Sequence, residues 1–392
     1  PFIVFFSTVL MPELLFTALV LTAIFFAGRA EAAGCRCAAL MAGLSAGLAY
    51  LTKSAAAPLL VTVPLCLLLR RRVRCAGIFV AGMLPAMAAW SLWSRAHLQS
   101  TSDIVTIYYT DYLRFHRMDV AWSDFPTLVW LNLNSLVQGA GGLIHFSVSA
   151  SFAARLFLTV LGVAAIAGIV RWTRQTGQLQ YPLFAAGFSV QLLLWNFPPN
   201  ERFLIPVAPL LFLGFAVEAS HLVGMLRQNW RGKIKSNRVA AAGMLALLVC
   251  LGVSIAAATF EALTAYLPGV VIEARYARRD IRPLYRWMKE NLPPRAAVLT
   301  YHDTVLYLHS GIQAARPIVM SMPQYRNDAA AMRRPFASLS QYAREHGFDY
   351  FLLTSQDYSH GELAWGDFKA LRELVRQDAG LFPLRETPGG WL

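Results

Sequence analysis

The sequence predicts an α-helical polytopic membrane domain over residues 1–260, followed by a small α/β extracytoplasmic domain over residues 261–392. Three observations predict it. Hydrophobic residues make up 56% of the 392 residues and charged residues only 15%, too apolar a balance for a water-soluble chain of this length. Apolar runs of membrane-crossing length recur before residue 261 and stop after it. Short Arg-rich loops separate several of those runs, the pattern of cytoplasmic loops that stay uncrossed.

Eight apolar segments are expected: 2–27 (interrupted at Pro12), 38–52, 54–69, 75–94, 152–170, 181–197, 203–222 and 239–260. The basic loops carry Arg29 and Arg36; Arg70, Arg71, Arg72 and Arg74; Arg171 and Arg174; and Arg227, Arg231, Lys233, Lys235 and Arg238. Placing all four in the cytoplasm turns the chain outward at Lys53, over a long loop near 95–151, near 198–202, and after 260. A single helix over 38–69 would be about 48 Å long and would split the Arg loops between two faces, so a turn at Lys53 is preferred. Phe125–Phe146 is apolar but holds Pro126, Asn132, Asn134 and the Gly139-Ala140-Gly141-Gly142 stretch; a crossing there would invert every later loop, so it is read as interfacial or re-entrant.

The same topogenic clustering accounts for the net charge of +13, and no nucleic-acid partner is expected. The five cysteines show neither a disulfide framework nor zinc-ligand spacing. Pro1 stands inside an apolar run, without a Met or a charged segment ahead of it, so N-terminal sequence is expected to be missing.

From Arg279 the pattern changes. An amphipathic helix to Asn291, a β-like run at 296–300, a helix over 328–346, a buried strand at 348–354 and a helix over 363–378 predict a domain of three or four strands. His302, Asp303, His309 and His360 match no metal-ligand spacing and are read as exposed polar residues; no metal site is expected.

Charged residues in or beside membrane segments are the candidate functional groups, because bilayer depth tolerates them only when they pair, snorkel or line water. Glu13 follows Pro12 at the outer start of a segment and is either a ligand-facing anion or a solvated helix cap. Lys53 lies between two short spans, where its ammonium suits a lipid phosphate or snorkels to headgroups. Asn200, Glu201 and Arg202 sit in a turn stiffened by Pro198-Pro199; the Arg202 fork suits phosphate or sugar hydroxyls, or simply pairs with Glu201. In the outer loop Tyr109 and Asp111, with Tyr108, Tyr112, Arg114, His116 and Trp122, suit sugar contact or form an aromatic belt. Arg155 and Lys289 read as ordinary interfacial and surface charges.

Three stretches carry a resemblance: Met11-Pro12-Glu13-Leu14-Leu15-Phe16, the small-residue helix from Ala42 that ends in Thr52-Lys53, and Arg202-Phe203-Leu204-Ile205-Pro206 through Pro209. In that order they resemble the GT-C polytopic glycosyltransferases of the dolichyl-phosphate-mannose protein mannosyltransferase and aminoarabinose transferase type. Leu306-Tyr307-Leu308-His309-Ser310-Gly311 is similar to part of their periplasmic domain. The resemblance implies transfer of a sugar from a polyprenyl-phosphate donor to a lipid, glycan or protein acceptor, at the outer face of an inner (plasma) membrane. It implies that Lys53 and Arg202, with Glu201, Glu13, Tyr109 and Asp111, contact substrate. The family's key acidic residue lies in a first exterior loop that this chain lacks, so the catalytic residue is left unknown and is expected upstream. No cofactor is implied with certainty; a divalent cation stays open. Two other classes remain: a transporter or flippase of a lipid-linked substrate, although no internal repeat is visible, and a non-catalytic membrane anchor for the C-terminal domain.

Overall fold

The computed structural model describes residues 12–98, 102–147, 151–196, 198–231, 235–317, 321–326, 328–354, 373, 375–387 and 390–392. The chain forms two compact units, Pro1–Ala96 with Phe125–Leu267, and His97–Asp124 with Pro268–Leu392. Where the sequence reading has one long loop near 95–151 and a boundary at 260/261, the structure divides the loop at Asp124/Phe125 and sets the boundary at Leu267/Pro268.

The first unit is helical. Its longer helices are α1 Glu13–Ala33, α2 Arg36–Thr52, α3 Leu59–Leu69, α4 Val73–His97, α5 Phe125–Ile144, α6 Phe152–Thr176, α7 Gln180–Leu193, α8 Ala208–Arg231 and α9 Lys235–Glu261. Five described stretches are long and apolar enough to cross a membrane: Glu13–Ala33, Val73–His97, Phe152–Thr176, Glu201–Gln228 and Ala242–Glu273. Two more, Arg36–Thr52 and Ser54–Leu69, are apolar but shorter, and residues 2–11 of the first expected segment lie outside the described residues. Among the described residues, the most apolar part of Ala242–Glu273 has no fully buried position; Leu247 and Phe260 are 71% and 70% exposed, while Leu251 and Ile255 pack against the helical core.

Side-chain bonds fix which helix ends meet. Arg70 Nε bonds Glu31 at 3.0 Å, Arg72 donates to the carbonyls of Glu31 and Ala32, Arg70 Nη2 donates to the carbonyl of Gly177, and Gln180 donates to Glu31 at 2.7 Å. The loops at 29–36, 70–74 and 171–177 therefore share one end of the unit. Glu13, at the other end of α1, is about 27 Å from Glu31 at 1.5 Å of rise per residue, and Lys53 and Arg202 gather around it.

Glycine sets the helix spacing. A Cβ added to Gly168 of α6 would stand 1.8 Å from the carbonyl oxygen of Gly214 in α8, one at Gly141 of α5 1.9 Å from that of Leu158 in α6, and one at Gly43 of α2 2.3 Å from that of Phe79 in α4. Backbones touch at these crossings, a contact only small residues allow.

The segment over Phe125–Phe146, read as interfacial or re-entrant, does not have the expected breaks: Phe125–Ile144 is one uninterrupted helix. Pro126 falls in its first turn, where the missing N–H is harmless. Buried Asn132 donates to the carbonyls of Leu192, Leu193 and Trp195, satisfying the last turn of α7. The glycines here are places of close packing.

In the second unit, α10 Leu267–Asn291 follows a π-turn at Ala262–Tyr266. The strands are β1 Ala297–Thr300, β2 Gln313–Ala315, β3 Tyr350–Thr354, β4 Glu386–Thr387 and β5 Gly390–Trp391, in the order β2-β1-β3-β5-β4. The sheet thus has five strands where three or four were expected. Three are parallel, with Val298 opposite Ala314 and Tyr350; β5 runs antiparallel to β3 and β4.

Alternation sends Val298 and Leu352 to one face of the sheet, with Leu284, Tyr285 and Met288 of α10, and Leu299 and Leu353 to the other, with Phe336 and Leu339. The helix expected over 328–346 is two, Ala329–Ala337 and Leu339–Glu345, with Ser338 out of helical geometry between them. Most of the helix expected at 363–378, and His360, lie outside the described residues.

Candidate functional site

Three motifs far apart in sequence meet at Glu13. Pro12 sets the start of α1 and Glu13 occupies its first turn. Lys53 ends α2 in extended geometry, its N–H bonded to the carbonyl of Ala49, and a 3-10 turn at Ser54–Ala56 leads on to α3. Beyond Pro198-Pro199, the Asn200 side chain accepts the Arg202 N–H at 3.2 Å and caps the short helix Glu201–Leu204, which aims the Arg202 side chain.

The result is an ion triad. Arg202 Nε bonds Glu13 Oε1 at 2.6 Å and Lys53 Nζ bonds the same oxygen at 3.3 Å. Glu13 is 1% exposed, whereas the Lys53 and Arg202 side chains are 25% and 35% exposed. Glu13 Oε2 is buried and finds no hydrogen-bond partner among the described residues. Phe203 joins the group, its ring centroid 5.0 Å from Lys53 Nζ.

Two cations share one carboxylate, so the cluster carries one formal positive charge. Each cation uses one N–H on Glu13 and keeps further donors, and both reach solvent while the carboxylate does not. Such an arrangement holds two cations at fixed separation and offers an anion charge-assisted bonds from both.

Of the sequence-predicted site residues, Glu13, Lys53 and Arg202 are brought together. Glu13 is a buried anchor and not a solvated cap. Arg202 pairs with Glu13 and not with its neighbour Glu201. Glu201 lies in the same turn against α5, where a Cβ on Gly142 would meet its Oε1 at 2.7 Å.

Tyr109 and Asp111 belong to the other unit and have structural tasks there. The Tyr109 hydroxyl donates to Asp303 Oδ2 and accepts the Arg316 N–H at 2.9 Å. Burial first, and then the Asp303 carboxylate, push the phenol well above the ordinary tyrosine range. Asp111 accepts the Arg114 N–H at 3.1 Å and caps the helix Tyr112–Arg117.

Sequence reading missed how residues 97–124 are tied into the second unit. Asp103 pairs with His346, Asp119 accepts the Met322 N–H at 2.8 Å, and Asp124 pairs with Arg326 at 2.5 Å. Desolvation opposes ionisation of Asp103, yet hydrogen bonds from Thr106 and His346 hold it below the ordinary carboxylate value. The Arg326 hydrogen bond does the same for Asp124, helped by the Ala121 N–H. The reading of Asp303 as exposed is corrected: it is 5% exposed and bonded to Tyr109. Acidic residues recurring in an aromatic loop were the available signal, but their partners lie some 200 positions away.

Among the described residues no three His, Cys, Asp or Glu side chains gather as metal ligands. No protein-family model matches the chain, and no curated protein matches it.

Proposed function

We propose that the protein is a membrane glycosyltransferase that moves a sugar from a polyprenyl-phosphate-linked donor to a lipid, glycan or protein acceptor, with the Glu13–Lys53–Arg202 cluster gripping the donor phosphate. One observation carries the reading: two half-exposed cations, from stretches that each resemble the GT-C pattern, are held on one buried carboxylate. A phosphate leaving group departs as a stable anion, so the site needs cations to meet its developing charge more than an acid to protonate it. Lys53 and Arg202 supply those cations. Glu13 positions them, and the base that activates the acceptor is assigned to none of the described carboxylates.

The basic loops at the opposite end of the helical unit support a cytoplasmic assignment for that end. The cluster then faces the extracytoplasmic side of an inner (plasma) membrane, within a multi-pass domain. The C-terminal domain is proposed to lie on the same outer side.

Binding of polyprenyl monophosphate to the detergent-solubilised protein tests the reading. Arg202→Gln is expected to weaken binding about tenfold, the loss of one charge-assisted contact, and Lys53→Arg to retain much of it. Unchanged binding in both Arg202→Gln and Lys53→Gln, with folding intact by thermal melting, would remove the basis of the proposal. Bound carrier without altered cellular glycan in the same variants would point to a flippase.

A further inference from the structure

At the basic end of the helical unit, about 27 Å along α1 from Glu13, a second concentration of charge lines an open cleft, a cavity of about 390 Å³. It is lined by Gly34, Arg36, Arg71, Arg72, Arg74 and the first residues of α4. The four arginines are not equivalent. Arg72 is spent on the backbone, donating to the carbonyls of Glu31 and Ala32, and its guanidinium crowds Gly34, where a Cβ would stand 2.9 Å from Nη1. Gly34 has no Cβ to meet that guanidinium, and it adopts φ +64, a conformation that glycine enters without steric cost.

Arg36, Arg71 and Arg74 form no ion pair among the described residues; the nearby carboxylate, Glu31, is taken by Arg70 and Gln180. Arg71 sits at φ 57, the left-handed region that a residue with a side chain rarely enters. The backbone is thus held in an unfavourable form beside three exposed arginines, Arg36, Arg71 and Arg74, that line the same pocket without an ion-pair partner among the described residues. Val73, Arg74 and Cys75, in the first turn of the 25-residue helix α4, also line the cavity.

We propose that this cavity binds the phosphate of an anionic phospholipid headgroup. Charge complementarity identifies the ligand class: donors only, no acceptor carboxylate, and a fork geometry suited to phosphate oxygens. Its place at the ends of apolar helices selects a lipid over a soluble anion, since a headgroup arrives there with its acyl chains along α1 and α4. The inference is independent of the proposed transferase activity.

The test is native mass spectrometry of the full chain released from nanodiscs of phosphatidylcholine mixed with phosphatidylglycerol. Retained phosphatidylglycerol is expected, and the Arg71→Gln/Arg74→Gln variant is expected to bind it roughly ten- to thirtyfold more weakly, at about 1 kcal/mol per arginine. A control, Arg174→Gln/Arg227→Gln, removes the same charge elsewhere and should retain the lipid. Equal loss in both variants, or in neither, would overturn the proposal, as would inorganic phosphate competing as well as the lipid does. Arg36→Gln, which leaves the strained loop untouched, carries the test if the double variant does not fold.

Discussion

The helical unit and the sheet unit are both rich in apolar residues, yet different forces set their geometry. In the sheet unit Val298, Leu299, Leu352 and Leu353 are fully buried between helices, the hydrophobic arrangement of a domain in water. In the helical unit many large apolar side chains face outward, Leu92 and Val61 among them, and the helix crossings are made by glycine against backbone. Lipid is as apolar as leucine, so burying leucine against leucine gains little there, and close van der Waals contact takes over. The comparison teaches that apolar content marks both units but organises only one of them.

Gly168→Leu attacks that contrast most directly. With the added Cβ 1.8 Å from a carbonyl oxygen, α6 and α8 must separate, a loss of about 3 kcal/mol or more. The expected readout is a lower melting temperature and aggregation in detergent. If the variant behaves like the parent protein, backbone contact does not organise the helical unit.

Leu352→Ala is the matching change in the sheet unit and is expected to destabilise it by about 3 kcal/mol through a cavity under β1 and β3. Hydrogen exchange should accelerate over 297–300 and 350–354 while the helices of the first unit keep their protection. Uniform acceleration across both units would show that they do not unfold separately.

Tyr109→Phe sharpens the picture of how residues 97–124 are attached. It removes the donor from buried Asp303 and should weaken the unit by about 1.5 kcal/mol, with proteolysis appearing between 97 and 124.

The smallest effect is acid loosening of the same segment. The Asp103 carboxyl is held below its ordinary value in the folded state, so its contribution is fully present above that ordinary value, near pH ~4, and is lost as pH falls through the depressed one. Exchange at Thr106 and Ile107 should rise on acidification and should not do so in Asp103→Asn.

Hydropathy made the long helices legible because their runs match bilayer thickness. It did not foresee the continuity of Phe125–Ile144, where Pro126 sits in the first turn, Asn132 reaches across to cap the end of α7, and the glycines pack against neighbouring backbone. The C-terminal hairpin escaped notice because strands of two residues carry no period. Motif order pointed to Glu13, Lys53 and Arg202 as candidates. Their meeting on one oxygen, with Arg202 passing over adjacent Glu201, depends on three helix ends coming together and leaves no trace in local spacing.

The discontinuity of the sheet unit has a consequence for synthesis. Residues 97–124 leave the ribosome long before His346, Arg326 and Asp303 exist to receive them, and the Phe125–Leu267 part of the helical unit comes between. The anchors follow their loop partners by 194 to 243 positions, so at ~5–20 residues per second the wait is roughly 10–50 s, during which an aromatic, acidic loop stays without its native anchors. Chains released early would keep it so, making this stretch the natural point of attack for quality-control proteases on unfinished copies.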